Sequence, residues 1–532
     1  MNSISHFLDG KVLLVTGSTG FVAKGLVEKL LRCVPDIQRI YLLVRPRRQS
    51  SGAPVSAEQR LAREVFHSRA FEKLRNEQGP AFDSVIRQKV VAVSYDLAAD
   101  RLGIDPEVYA RLTQEVDIVI SVAGTVVFDE RLDLALEVNT LGPQRLLEFA
   151  KACPDAIFLH VSTAYVNGQL TGRIPEVALR PDCTVAELMG NGRTCGYDLD
   201  AEIASIRQLT RQVEEASQRS ELQDRFHRML EKQDRGKRVT AYRRTHQLEA
   251  LRIRWIGKRL VEEGMARARQ LGWHDCYTLT KAMGEQVIVK TRGDLPTAIV
   301  RPSIIESSLL DPEPGWLEDL KVADPLIAYY GKGRLPDFPA DPDVVIDVIP
   351  VDFVVNAIIA ALPRVREEKE VKVYQVATGS ENPMRLGEMF ELVYDYFKRN
   401  PMQDKAGRPI EVHRWNFPSP KAFQRNCRLK YKLPLHTLGW LMDHIPLSSR
   451  WRRKVSMLEA TFDRIFALSE IYSCYTNLNC EFQTENTRRL YEELTSEDQE
   501  TFNFDVSRIE WQDYIQNIHI PGLQRHVLKT HT

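Results

Sequence analysis

Between residues 11 and 300, short apolar runs alternate with longer stretches whose apolar positions recur at helical spacing. The runs are Val12–Thr16, Ile40–Val44, Val90–Ser94, Ile118–Val122, Ile157–Val161 and Thr297–Arg301. A strand with one wet face would alternate apolar and polar residues. These runs are nearly continuous, which predicts strands covered on both faces. Ala23–Leu31 and Leu134–Ala150 lie between runs and carry one apolar face each, which predicts amphipathic helices. Strands of this kind interleaved with helices predict an α/β architecture with a doubly wound parallel sheet.

The rhythm breaks twice. Residues 183–270 are highly charged, poor in proline and apolar at helical spacing, which predicts an inserted pair or trio of helices. Beyond residue 370 the segments Leu386–Lys398 and Arg453–Tyr472 read as amphipathic helices separated by a proline-containing loop at 401–420. The expected organisation is a sheet domain over 1–370, interrupted by the helical insertion, and a smaller, mostly helical domain over 371–532.

Composition narrows the function classes. In 532 residues, 72 Lys and Arg balance 72 Asp and Glu, and 43% of the chain is apolar. This describes an ordinary folded protein with no bulk charge for nucleic acid. The opening MNSISHFLDGKVLLVTG lacks the basic and apolar regions of a signal peptide. The apolar stretch from Val351 to Leu362 contains Asp352 and Asn356 and falls short of the ~20 residues that span a bilayer. The eight cysteines form no CxxC pair, so neither zinc nor a disulfide framework is expected, and a cytoplasmic setting is the simplest.

The first candidate chemistry follows the first strand. Gly17-Ser18-Thr19-Gly20-Phe21-Val22-Ala23 joins Val12–Val15 to a helix. Gly17 permits a tight turn, Gly20 lets the backbone approach a pyrophosphate, and Ala23 allows close helix–strand packing. The open N–H groups of the helix then face the phosphates. This is the turn of a Rossmann-type dinucleotide site. An enzyme using NAD usually carries an acidic residue after the second strand. Here Tyr41–Val44 is followed by Arg45, Arg47 and Arg48, and a guanidinium suits a 2′-phosphate. NADPH is the expected cofactor.

A second pattern lies at Tyr277-Thr278-Leu279-Thr280-Lys281. Residues four apart share one helix face. The ammonium is expected to lower the phenol toward the working pH, so that Tyr277 can give a proton to a carbonyl oxygen. The strand exit Val161-Ser162-Thr163-Ala164-Tyr165 offers a hydroxyl for the same oxygen. Either Ser162 or Thr163 could supply it.

Together these residues resemble the extended short-chain dehydrogenase/reductase family. More closely they resemble its male-sterility-type branch, the alcohol-forming fatty acyl-CoA reductases, and within it the bacterial single-activity members. The matching segments also include Arg301-Pro302-Ser303-Ile304-Ile305-Glu306-Ser307, Pro314-Gly315-Trp316 and Asp347-Val348-Ile349-Pro350-Val351-Asp352. The resemblance implies that Tyr277 is the proton donor, that Lys281 tunes it and binds the nicotinamide ribose, and that Thr163 orients the carbonyl. It implies adenine contacts at Asp96 and Leu97, and a loop along the cofactor at Ala123, Gly124 and Thr125. It implies contacts beside the carboxamide at Pro302, Ser303 and Ile304. The helical C-terminal part resembles the sterile domain of that branch. The implied reaction reduces a long-chain fatty acyl-CoA to an aldehyde and then to the alcohol. Aldehyde as the end product, or a nucleotide-sugar epimerase or dehydratase of the same fold, are the alternatives.

The chain departs from the pattern in a long interval between Thr163 and Tyr277. The charged insertion fills it and is expected to sit above the site. Residues 235–259 carry nine basic side chains, Arg243 and Arg244 among them, against one acidic, Glu249. Such a surface could receive the phosphates of coenzyme A, touch anionic lipids as a peripheral membrane contact, or be a solvated helix face. Trp451-Arg452-Arg453-Lys454 offers a second basic stretch. Cys276 points away from Tyr277 on a helix and is expected to be a bystander.

Overall fold

The computed structural model describes residues 3–48, 54–190, 195–233, 240–320, 323–427 apart from 336 and 368, a few positions between 429 and 469, and 472–528. Seven parallel strands form the central sheet: β1 (Val12–Val15), β2 (Arg39–Val44), β3 (Val90–Ser94), β4 (Ile118–Ser121), β5 (Ile157–Val161), β6 (Thr297–Pro302) and β7 (Lys372–Val376). Their order across the sheet is β3-β2-β1-β4-β5-β6-β7. The chain starts in the middle, winds one way to β3, then returns past β1 and winds the other way. The reversal opens a crevice between β1 and β4 at the carboxyl ends of the strands.

The six strands expected from the apolar runs are present, each to within one residue at either end. Their side chains are buried on both faces in β1, β4, β5 and β6. The seventh strand lies past residue 370. It pairs with β6 from Lys372↔Ala298 to Val376↔Pro302, so the sheet continues beyond the expected boundary. The segment beyond residue 370 also returns to the first part of the chain. Cys480–Phe482 pairs in parallel with Gly172–Ile174.

Helix α1 (Phe21–Cys33) buries Ala23, Leu26, Val27, Leu30 and Leu31 on one side of the sheet. Helix α2 (Gly142–Ala152) covers the other. It continues a helical stretch from Leu132 that passes through a π-helical segment, Leu136–Leu141. The insertion contributes the short helix Val185–Gly190 and three longer ones, α3 (Leu199–Ser217), α4 (Ser220–Gln233) and α5 (Ala241–Gln270). Along α5 only Ile256, Leu260, Gly264 and Ala268 are buried. Its second half therefore packs on the body while Tyr242 and Ile253 stay exposed. Helix α6 (Cys276–Thr291) follows, buried along most of its length. Leu386–Arg399 forms the amphipathic helix expected there. The expected helix at 453–472 and the basic stretch Trp451–Lys454 fall largely or wholly outside the described residues.

One cysteine expectation is corrected. Cys183 and Cys195 are joined in a disulfide that closes a loop at the start of the insertion. Their separation of 12 residues carries no recognisable spacing, and folding alone brings them together.

The motifs that were most specific in the sequence serve as struts. Asp347 is buried and accepts from Thr378 N, Thr378 Oγ1 and Gly379 N, which ties β7 to the segment before Val348. Asp352 is buried and accepts from the backbone N–H groups of Leu309, Leu310 and Asp311. Arg301 makes two hydrogen bonds to the Glu285 carboxylate, at 2.9 and 2.6 Å, and so fastens α6 to β6. Gly315 adopts φ +78°, and a side chain there would meet the Ile518 carbonyl oxygen at 2.6 Å.

Helix α6 also packs backbone to backbone. A methyl group at Gly284 would overlap the carbonyl oxygen of Asn139 in the π-helical segment. Overpacking a tight site costs about 1–3 kcal/mol. Gly284→Ala is therefore expected to lower unfolding stability by about that amount in a urea titration. An unchanged midpoint would mean that the contact is slack.

Candidate active site

The glycine turn lies where the sheet order reverses. Gly17 has φ +73°, and a Cβ there would sit 2.9 Å from Ala123 N. Only glycine satisfies both the backbone angle and the space. Thr16 Oγ1 accepts from Val122 N and Ala123 N, each at 3.0 Å, and clamps the ends of β1 and β4. Ser18 Oγ donates to Leu43 O at 2.6 Å and holds the end of β2. Gly20 caps α1 without a side-chain hydrogen bond, and the helix begins directly after the turn at Phe21 and Val22. Thr19 lies in the same turn. This glycine cradle at a helix N-terminus fits the pyrophosphate of a dinucleotide.

The other residues expected to meet the cofactor follow the strand ends around this crevice. Arg45 is exposed just past β2. Arg48 belongs to the short ribbon Arg47–Arg48, and its side chain is outside the described set. Asp96 Oδ1 accepts from Ala98 N, and Leu97 packs against Gly142. On the far side, Ser303 N donates to Val376 O and Ile304 N to Asp347 O, so Pro302-Ser303-Ile304 is held between β7 and the Asp347 strut.

Tyr277 and Lys281 project from the first turns of α6. The helix begins at Asp275, whose carboxylate accepts from Thr278 N at 2.8 Å and Thr278 Oγ1 at 3.0 Å. Lys281 Nζ donates to Val161 O at 2.8 Å, at the end of β5. A Cβ at Gly124 would lie 3.7 Å from that ammonium, so Lys281 stands beside the crevice loop. The Thr163 hydroxyl acts on the Tyr277 phenol and draws it downward. Ser162 Oγ is buried with no hydrogen-bond partner among the described residues. Of the two candidate hydroxyls, Thr163 is the one that acts on Tyr277.

The phenol behaves differently from expectation. Burial pushes Tyr277 up to about 12, with the Asp275 carboxylate acting in the same direction and the Thr163 hydroxyl in the opposite one. The spacing to Lys281 predicts a lowered value, but the ammonium is directed to the Val161 carbonyl. Burial also pushes Lys281 down, to about 8, although Glu285 opposes it. Desolvation dominates both groups because each leaves water for a site walled by packed side chains.

Asn139 is the residue that the sequence reading missed. Its Oδ1 accepts from Thr125 N at 2.9 Å, and its Nδ2 donates to Thr125 O at 3.2 Å and to Thr280 Oγ1 at 3.1 Å. One amide thus joins the Ala123-Gly124-Thr125 loop to the helix of Tyr277 and Lys281. π-helical turns recur at functional sites. The available signal was a carboxamide inside the apolar helical run from Leu132 to Leu147. Cys276 is buried, its thiol pushed up by desolvation, and packs against Gly264 of α5. Arg243 and Arg244 are exposed on the outer part of α5, Arg244 paired with Glu231 at 3.3 Å. At 1.5 Å per residue they stand roughly 30 Å along the helix from Gly264.

An aromatic cluster roofs Tyr277. The Phe128 ring lies edge-on to it at 5.8 Å, and Phe128 also meets Tyr472 at 5.9 Å and Tyr475 at 5.2 Å. The last two residues come from the far end of the chain.

Comparison with known proteins places this arrangement. The NAD-binding model of the male sterility protein family matches residues 15–358, and its Sterile model matches 439–530. The chain is 36% identical to the chloroplastic fatty acyl-CoA reductase 2 of Arabidopsis thaliana, over 99% of this chain and 80% of that protein. It is 34% identical to the alcohol-forming fatty acyl-CoA reductase of Simmondsia chinensis, over 99% of each. Among solved structures, the terminal R domain of the myxalamid PKS-NRPS pathway has a TM-score of 0.55 at 15% identity, covering 98% of this chain and 92% of its own. The reductase domain of a nonribosomal peptide synthetase from Mycobacterium tuberculosis has 0.53 at 19%, covering 97% and 92%. These two share the fold.

The buried ammonium makes a stability prediction. A lysine at about 8 in the folded protein and ~10.4 unfolded weakens the fold while it is charged. The loss is complete below pH 8 and fades as pH rises toward the unfolded value. Lys281→Met is expected to raise stability at pH 7 by on the order of 2–3 kcal/mol, with the gain falling below about 1 kcal/mol near pH 10. Urea unfolding at the two pH values checks this. An equal effect at both would remove the buried charge as its cause.

Proposed function

This chain belongs to the male sterility protein family, and we propose that it reduces long-chain fatty acyl-CoA to the fatty alcohol through the aldehyde, using NADPH. The observation that carries the reading is the convergence of Tyr277, Thr163 and Lys281 at the strand ends that flank a dinucleotide cradle, with Lys281 bonded to the end of β5 and the Thr163 hydroxyl acting on the phenol. The NAD(P)-type cradle favours the 2′-phosphate form because Arg45 follows β2 where an acidic residue would select NAD.

The dinucleotide, when bound across the glycine turn, supplies hydride. Gly17, Ser18, Thr19, Gly20, Phe21 and Val22 would hold its pyrophosphate, Asp96 and Leu97 its adenine side, and Lys281 its nicotinamide ribose. Ala123, Gly124 and Thr125 would line its path, with Pro302, Ser303 and Ile304 at its far end. Tyr277 and Thr163 hydrogen-bond the thioester carbonyl oxygen and so make the carbon electrophilic. Tyr277 holds its proton firmly at neutral pH, as burial dictates, and gives it up as negative charge develops on that oxygen. Collapse of the resulting hemithioacetal releases the coenzyme A thiol and leaves the aldehyde. The same two hydroxyls then hold the aldehyde oxygen for the second reduction. Two hydrides and two protons are consumed for each alcohol formed.

The acyl chain and its product are poorly soluble in water, and the reading includes a cytoplasmic protein with peripheral membrane contact. Among the described residues no helix is long and apolar enough to cross a membrane. Exposed Tyr242 and Ile253 on α5, with Arg243, Arg254 and Lys258 nearby, support surface attachment. The remoteness of Arg243 and Arg244 along α5 favours that role over a direct grip on coenzyme A.

Palmitoyl-CoA and NADPH incubated with the pure protein are expected to yield hexadecanol by gas chromatography, with two NADPH consumed per coenzyme A. Tyr277→Phe should lower the rate at least a hundredfold. Aldehyde with one NADPH would remove the second reduction, and undiminished product in the variant would remove Tyr277 as proton donor. Arg45→Ala should raise the KM for NADPH about tenfold or more while leaving that for NADH within twofold. Equal effects on both would end the 2′-phosphate assignment.

A further inference from the structure

Tyr475 reaches the active site by three contacts that converge. Its hydroxyl donates to Asp275 Oδ2, the carboxylate at the head of α6. Its ring meets Phe128 at 5.2 Å, and Phe128 in turn meets Tyr277 edge-on at 5.8 Å. It also meets Tyr165 edge-on at 5.1 Å, and the Tyr165 amide donates to Thr163 Oγ1 at 3.3 Å. Each member of the Tyr277–Thr163 pair is therefore braced by the same side chain, which lies far along the chain from both.

The polar contact has a physical reason. Asp275 is only 2% exposed. A carboxylate removed from water must have its lone pairs filled, and the oxygen facing away from the helix has the Tyr475 hydroxyl. The other oxygen bonds Thr278 N and Thr278 Oγ1. With Tyr475 in place, the carboxylate keeps one oxygen for the cap and one for the phenol, and the first turn of α6 is held at a single angle. Without that donor the carboxylate leans more on the turn that carries Tyr277, whose backbone N–H already acts on it.

We propose that Tyr475 is a positioning residue for the reduction: through Asp275 and Phe128 it sets the aim of Tyr277, so that the C-terminal part of the chain completes the active site. The proposal rests on the acyl-CoA reductase reading for its kinetic effect, though the contact itself does not. Tyr475 does not touch the reacting atoms. It acts on a group whose value depends on placement, since a displacement of ~1 Å can cost 10²-fold in rate.

Tyr475→Phe keeps the ring contacts and deletes only the hydroxyl. In the full-length protein with palmitoyl-CoA and NADPH, kcat is expected to fall about tenfold while both KM values stay within twofold. Thermal melting and NADPH fluorescence titration should match the unsubstituted protein. In an Asp275→Asn background the same substitution should cost less than twofold, because the neutral amide no longer needs the donor. Hydrogen exchange followed by mass spectrometry should show faster exchange at residues 276–279 in Tyr475→Phe. Unchanged kcat with unchanged exchange would overturn the proposal. So would an equal loss in both backgrounds, or a fall in kcat that tracks a fall in melting temperature. If the unsubstituted protein turns over no acyl-CoA, the functional reading fails, while the exchange measurement still decides whether Tyr475 holds the head of α6.

Discussion

The site exists because α6 can lie against the π-helical segment at backbone distance. Gly284 faces the Asn139 carbonyl, and a side chain there would overlap it unless the backbone shifts. That approach brings Tyr277 and Lys281 to the end of β5 and lets Asn139 join the crevice loop to Thr280. The Arg301–Glu285 pair holds the other side of the helix against β6, with both residues buried. Breaking either partner of such a pair leaves a buried charge alone, so the pair acts as a lock on position. A tyrosine four residues before a lysine is a common sequence pattern. It becomes a site here through the packing that directs both side chains to one crevice.

The electrostatics follow from that packing. Desolvation moves Lys281 down and Tyr277 up, each toward its neutral form. A neutral, proton-holding phenol suits the donation step, whereas a phenolate would repel the developing oxyanion.

The segments that carry the family resemblance divide by role. Gly17 and Thr16 build the cradle itself. Asp347, Asp352 and Gly315 hold loops and the C-terminal segment in place. Their specificity in the sequence reflects geometry: a buried carboxylate that must satisfy two or three particular N–H groups tolerates few replacements. The long insertion shows the opposite behaviour, with a tightly packed second half of α5 and an exposed, basic first half.

Local patterns in the sequence determined the strands, because continuous apolar runs can be satisfied only where both faces are covered. They also determined the glycine turn, since backbone angle and close approach are properties of single residues. The Tyr277–Lys281 pair, with Ser162 or Thr163, was legible as a set of residue types. Tertiary structure alone decided which hydroxyl acts on Tyr277, the direction of the phenol's shift, the seventh strand beyond residue 370 and the Cys183–Cys195 disulfide. It alone brought Asn139, Phe128 and Tyr475 to the site. The physical reason is range: periodicity and turn chemistry act over a few residues, whereas burial and hydrogen-bond partnership depend on segments hundreds of positions apart meeting in space.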